Sequence, residues 1–230
     1  MPLVITVAPE LPDAAWLVRT LRAKGCLVNA GHSHATFPQV EAAVAAGVRH
    51  VDHLFCAMSD RARLRQSQTF PMRAGVMEAT LYFDELTTEV IADGKHLADE
   101  LLRLAFKIKG PDRLALVTDS MRAVDMPNGE YWFGAEGSGE RVRKMQGVGV
   151  TLDGTALASG AMGLDHCVRT MAAATKAPIH EVIRMASITP ARILGVDSEI
   201  GSIAVGKKAD MLVLDPALNV KCVYIDGRPV

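Results

Sequence analysis

Through the first half of the chain, short apolar runs alternate with Ala- and Leu-rich stretches of helical period, the pattern of consecutive parallel βα units. Val4 to Glu10 reads as a strand stopped by its proline. Asp13 to Lys24 reads as a helix closed by Gly25, Cys26 to His32 as a second strand, and Pro38 to Ala46 as a helix closed by Gly47. Val48 to Phe55, Thr87 to Asp93 and Arg113 to Asp119 are three further strands, with a helix from Leu97 to Lys107 between the last two. The chemically able residues His32, His53, His96 and Asp119 fall at or just past the carboxyl ends of these runs. In parallel α/β barrels the loops leaving those ends build the active site.

After Asp119 the pattern changes. Gly129 to Gly134 and Val148 to Gly154 suit antiparallel strands joined by glycine turns, two helices follow over Leu164 to Ala174 and Ile179 to Ala186, and Gly201 to Val230 breaks into short strands. The expected organisation is an α/β barrel portion over 1–198, with a β-hairpin inserted around 129–154, and a small β portion over 199–230.

Composition narrows the function. Hydrophobic residues make up 49% of the 230 and charged residues 22%, enough to bury a core, while 25 Lys plus Arg balance 26 Asp plus Glu. Such a balance offers no field for nucleic acid or an anionic membrane, so the expected partner is a small molecule. Cys26, Cys56, Cys167 and Cys222 are scattered without a C-x-x-C pair and read as reduced thiols of a cytoplasmic protein. No run approaches the ~18 apolar residues of a membrane span, and the first residues lack the basic flank of a signal peptide.

His32 and His53 end adjacent strand units, so their imidazoles are expected to converge on one metal ion. His34 would share a face with His32 only if the strand continued, and Thr36-Phe37-Pro38 starts a helix, which leaves His34 in the loop. His50 alternates with Asp52 on the face opposite His53 and reads as structural. Asp119 suits proton transfer or, equally, a helix cap. His96 follows an Asp-Gly turn as a hydrogen-bond donor to substrate, and Arg61, Arg63, Arg65 and Arg73 form a basic loop suited to phosphate or carboxylate.

Together, Val7-Ala8-Pro9-Glu10, Gly31-His32-Ser33, His53 to Met58, Ala92 to His96, Leu116 to Asp119, Ala158-Ser159-Gly160, Met185 to Ala191 and the tail Gly201 to Asp210 resemble the amidohydrolase superfamily. Within it, they resemble the N-acetylglucosamine-6-phosphate deacetylase family. The resemblance implies a partial (β/α)8 TIM-type barrel, about its fourth to eighth strands, with part of a C-terminal β-sandwich. It implies one divalent ion, zinc or iron, on His32 and His53, with Asp119 moving the proton from the attacking water to the departing amine. His96 and Cys56 would bind substrate, Ala57 would sit at the sugar phosphate, Ala158, Ser159 and Gly160 would line the sugar, and Arg61, Arg63 and Arg65 are unaligned candidates for phosphate. The implied substrate is a phosphorylated N-acetyl amino sugar.

The chain departs from the family in having Cys56 where the motif carries Asn, in the arginine-bearing loop, and in lacking the His-Leu-Glu-Gly-Pro stretch that supplies a metal-binding Glu; Glu10 is not that Glu. Two alternatives therefore stand beside the deacetylase: another amidohydrolase, such as a cyclic-amide hydrolase, and a catalytically incomplete chain completed in trans. A partial barrel also leaves two unpaired sheet edges, for which self-association into a homo-oligomer is the expected cover.

Overall fold

The computed structural model describes residues 3–66 and 70–230. The first part of the chain runs β1 (Val4–Val7), α1 (Ala14–Ala23), β2 (Leu27–Ala30), α2 (Phe37–Ala46), β3 (His50–Val51), α3 (Arg61–Arg65), α4 (Val76–Tyr82), β4 (Thr87–Ile91), α5 (Asp99–Lys109) and β5 (Leu114–Val117). It continues with β6 (Gly129–Phe133), β7 (Glu140–Met145), β8 (Val148–Thr151), β9 (Leu157–Gly160), α6 (Leu164–Thr175), α7 (Ile179–Met185), α8 (Ile188–Ile193), β10 (Met211–Leu214), β11 (Val220–Ile225) and β12 (Arg228–Pro229). These elements form two compact units: Met1–Val90 with Leu104–Ala115 and Ser187–Lys207, and Ile91–Arg103 with Leu116–Ala186 and Lys208–Val230.

The five strands of the first half form one sheet in the order β1-β2-β3-β4-β5, and the pairs from β1 to β4 are parallel. Val7, Val28, Ala30 and Val51 pack against Val18 of α1, Val40 and Ala43 of α2, and Val76 and Ala79 of α4. Burying each such valine is worth about 1.5–3 kcal/mol. The opposite row is polar, with Asn29 in register with His50 and His50 in register with Thr87. A parallel sheet covered on both faces is normally apolar on both, so this polar face calls for its own account.

Local chemistry sets the helix starts. Thr36 and Gln39 close a capping box at α2, the Thr36 N–H donating to Gln39 Oε1 at 2.8 Å. At α3, Asp60 Oδ1 accepts the Arg63 N–H at 2.8 Å. The arginine-rich segment expected as a loop is therefore a short helix, because its aspartate satisfies the first-turn donors.

In the second unit, β6-β7-β8-β9 is a four-stranded antiparallel sheet rather than a single hairpin. The extra strand β7 reads as a charge run, yet Lys144 points inward and its Nζ donates to Ala123 O at 2.6 Å and Met126 O at 2.7 Å. Met121, Ala123 and Val142 form a small core against Tyr131 and Ala158. The C-terminal strands β10-β11-β12 make a three-stranded antiparallel sheet. No helix among the described residues is long and apolar enough to cross a membrane.

Candidate metal and substrate site

In the first unit, β2 ends at Ala30 and the chain turns at once. His32 adopts φ 44 and His53, two residues beyond β3, adopts φ 25. Left-handed backbone costs an ordinary residue roughly 1–2 kcal/mol, so both histidines are held there by their surroundings. Their Nε2 atoms lie 3.0 Å apart with ring planes at 80°.

The turn after His53 explains its ring. His53 Nδ1 lies 3.2 Å from Cys56 O, and the Cys56 N–H donates to His53 O at 2.9 Å. A carbonyl only accepts, so Nδ1 carries the proton and the Nε2 lone pair of the neutral ring faces His32. Cys56 supports His53 through its backbone, which a change from Asn to Cys leaves intact. With metal–nitrogen bonds of ~2.0–2.1 Å, nitrogens 3.0 Å apart can reach one ion, and the pair fits a divalent metal.

Ser33 ties the two histidine loops together. Its N–H donates to Ala57 O at 3.1 Å, and its carbonyl accepts the Ser59 N–H at 2.9 Å. Glu10, just past β1, clamps the same loop: Oε2 accepts Ser33 Oγ–H at 2.6 Å and Oε1 accepts the His34 N–H at 2.7 Å. Burial pushes the Glu10 carboxyl up, but those two bonds outweigh it and hold the group below its ordinary value. His34 turns to Arg63, whose Nη2 is 3.1 Å from His34 Nε2. Arg63 thus lies beside the His32–His34 loop, Ala57 adopts φ 47 in the loop after His53, and Arg65 sits in the last turn of α3.

In the second unit His96 is fixed by Asp93. Asp93 Oδ1 accepts the N–H groups of Lys95 and His96, each at 2.9 Å, and Oδ2 lies 2.7 Å from His96 Nδ1. Burial raises the Asp93 pKa, and the His96 ring and peptide bonds outweigh it, leaving a carboxylate below its ordinary range. His166 Nε2 meets Asp93 O at 3.1 Å. Asp119, with φ 46, ends the β5 segment; its carbonyl accepts the Gly160 N–H at 2.8 Å, and the Met121 N–H donates to Gly160 O at 3.0 Å. A Cβ on Gly160 would lie 2.2 Å from Thr118 O, so only glycine permits this approach. Ala158 and Ser159 precede it on β9, Ser159 fully buried. Cys167 is inert, since burial, then the Asp93 charge, push its thiol up to about 12.

The first unit therefore brings together His32, His53, Cys56, Ala57 and Arg63, and the second brings Asp119 beside Gly160. Sequence reasoning missed Glu10, Ser33 and Asp93 as supports. Each is a polar residue just past a strand end, the same signal that marked the histidines. It also set His50 aside, although His50, Asp52 and Glu89 place their ligand atoms within 4.8 Å of one another.

Parallel strands with paired imidazoles just past their carboxyl ends make this an α/β arrangement. The sequence profile of the amidohydrolase family matches residues 16–230, and the chain belongs to that family. It is 34% identical to the N-acetylgalactosamine-6-phosphate deacetylase of Escherichia coli O157:H7 over 225 residues, which is 98% of this chain and 56% of that protein. It is also 34% identical to the N-acetylglucosamine-6-phosphate deacetylase of Vibrio furnissii over 228 residues, 99% of this chain and 54% of that protein. The crystal structure of the N-acetylglucosamine-6-phosphate deacetylase from Pasteurella multocida superposes with a TM-score of 0.88 at 31% identity, covering 99% of this chain and 56% of that one. The corresponding enzyme from Mycobacterium smegmatis gives 0.88 at 30% identity, covering 99% and 58%. The chain thus spans little more than half the length of the relatives it matches.

Proposed function

We propose that this chain carries the histidine pair, the substrate histidine and the proton-transfer aspartate of a divalent-metal-dependent amide hydrolase. Its substrate is an N-acetyl amino-sugar phosphate such as N-acetylglucosamine 6-phosphate. The observation that carries the reading is the 3.0 Å approach of His32 Nε2 to His53 Nε2, both on left-handed backbone at the ends of adjacent parallel strands. Here residues 1–198 are part of a (β/α)8 barrel, residues 199–230 part of a β-sandwich, and the protein is cytoplasmic.

When bound by His32 and His53, zinc or iron supplies Lewis-acid polarisation of the amide carbonyl and lowers the pKa of water. The protein's groups do the rest. Asp119 accepts the proton of the attacking water and returns it to the amine nitrogen as the C–N bond breaks, releasing acetate. His96, its Nδ1 held by Asp93, presents Nε2 to the substrate. Arg63 and Arg65, with the Cys56–Ala57 turn, take the phosphate, and Ala158 to Gly160 line the sugar.

Zinc-loaded chain incubated with N-acetylglucosamine 6-phosphate should release acetate, and Asp119→Asn should lower the rate by ~10²-fold or more. Absence of both zinc uptake and sugar-phosphate binding overturns the reading. A second reading, a chain completed in trans by further residues, is favoured by the coverage of only 54–56% of its relatives. It predicts binding of zinc and sugar phosphate without turnover. Hydrolysis of a cyclic amide but not the N-acetyl sugar would instead assign another amidohydrolase.

A further inference from the structure

We propose that the polar face of the parallel sheet holds a second divalent-cation site, built from His50 Nε2 and the carboxylates of Asp52 and Glu89 and separate from the His32/His53 pair. Strand alternation places it. Asn29, His50 and Thr87 form one cross-strand row; Glu89 lies two residues further along β4 on the same face, and Asp52, just past β3, turns its carboxylate to Thr6 and Asn29. The three ligand atoms lie within 4.8 Å of one another.

The tautomer of His50 points to the occupant. Its side chain is 6% exposed, and Nδ1 lies 2.8 Å from Thr87 Oγ1. The single Thr87 hydroxyl hydrogen goes to Arg49 O at 3.0 Å, so Thr87 accepts from His50 and Nδ1 carries the ring proton. In the neutral ring Nε2 is then a bare lone pair, aimed at the carboxylate oxygen Glu89 Oε2 at 3.3 Å. Two acceptors facing one another inside a protein require a proton or a cation between them.

The groups hydrogen-bonded to the two carboxylates do not supply one. Asp52 Oδ2 accepts the Thr6 hydroxyl at 2.7 Å, Asp52 Oδ1 accepts Asn29 Nδ2–H at 2.9 Å, and Glu89 Oε1 faces the His53 N–H at 3.4 Å. All three donors are neutral. A proton on Nε2 would leave the cluster with a net charge of about −1, whereas a dication neutralises both carboxylates. The carboxylate of Asp52 also fills the space beside Gly31, where a Cβ would meet Asp52 Oδ2 at 2.4 Å.

One imidazole nitrogen and two carboxylates form a donor set for zinc or manganese. Ligand atoms each ~2.0–2.2 Å from an ion lie no more than roughly 4.4 Å apart, so a shift of a few tenths of an ångström closes the set.

Zinc chloride titrated into metal-free chain against a chromophoric chelator tests this. Wild type should take up two equivalents, the His32→Ala/His53→Ala double variant one, and Asp52→Asn/Glu89→Gln one, with folding of each followed by circular dichroism. Ring ¹⁵N spectra of the His32→Ala/His53→Ala variant should show His50 protonated on Nδ1 alone and its Nε2 resonance moving with zinc. No zinc uptake by that variant, or a His50 ring protonated on both nitrogens at saturating zinc, overturns the proposal. Loss of the other equivalent alone, with this one retained, would count against the His32/His53 reading instead.

Discussion

His32 Nε2 lies 3.0 Å from His53 Nε2 because each histidine sits on a backbone that most side chains avoid, φ 44 and φ 25. The strain is local and separable from the chemistry. His32→Gly should therefore be more stable than His32→Ala by about 1 kcal/mol, the left-handed penalty less the unfolded-state entropy of glycine, while both lose zinc at the pair. Urea unfolding of the two variants checks it, and equal midpoints would mean that the loop relaxes around alanine.

Glu10 holds the His32 loop through Ser33 Oγ–H and the His34 N–H, and its carboxyl lies below the ordinary value of 4.5. A folded-state pKa below the unfolded one means that the unfolded chain binds the proton more tightly. The stabilisation is then full above about pH 4.5 and disappears as pH falls through the lower folded value. Glu10→Gln should cost of order 1 kcal/mol at pH 7, and the gap from wild type should narrow as pH falls below 4.5 and close once it passes the lower folded value. Its zinc affinity should fall as well, since the loop it clamps carries a metal ligand.

Much of this was legible from the chain. The strand ends at His32, His53 and Asp119 follow from apolar runs punctuated by glycine and helical stretches, and the structure places each there. Three other things were not legible. β7 hides in a charge run because its inward Lys144 is satisfied by two carbonyls rather than replaced by an apolar residue. α8 contains Pro190, which reads as a breaker although it lies in the first turn, where no amide is needed. The His50–Asp52–Glu89 cluster joins residues 37 or more positions apart across β3 and β4, and alternation alone assigns a face but no partner.

Buried Lys109 donates to Phe83 O and Leu86 O, each at 2.8 Å. Burial first, then the neighbouring Arg113 charge, lower its pKa to about 8 from 10.5. Between those values the unfolded chain binds a proton that the folded chain has released, so this group makes stability rise with pH there. Wild type should gain on Lys109→Met between pH 8 and pH 10.5 in urea midpoints, and a flat difference would place the ammonium in contact with water.

Asp93 anchors His96 by its ring and by two peptide bonds. In Asp93→Asn the amide offers one acceptor and a donor, so the His96 Nδ1–H loses its partner and the ring tautomer shifts. Loss of a charged, buried acceptor should cost about 1.5–3 kcal/mol. Sugar-phosphate affinity should fall more than in a surface control such as Lys95→Met, and ¹⁵N spectra of the ring would report the tautomer directly. Unchanged affinity with a shifted tautomer would remove His96 from substrate binding.

The outer edge of β1 concerns association. Among the described residues β1 pairs only with β2; Leu3 just before it and Val4 at its start are 61% and 38% exposed, and Trp16 on α1 is 61% exposed. An unpaired strand with apolar neighbours is a template for another strand. At the other end of the sheet, β5 differs, because just beyond it Ser120 bridges to Gly160 and the Met121 N–H is taken by Gly160 O. Pairing through β1 is thus the cheaper route to a dimer, and sedimentation at micromolar concentration should show wild type larger than a monomer. Val4→Lys places a charge on the edge, where a second strand would have to desolvate it, and should shift the population to monomer while leaving the unfolding midpoint nearly unchanged, since Val4 contributes little buried area. A monomeric wild type, or a variant that stays associated, would mean that the edge is covered by the chain's own residues or that association uses another face.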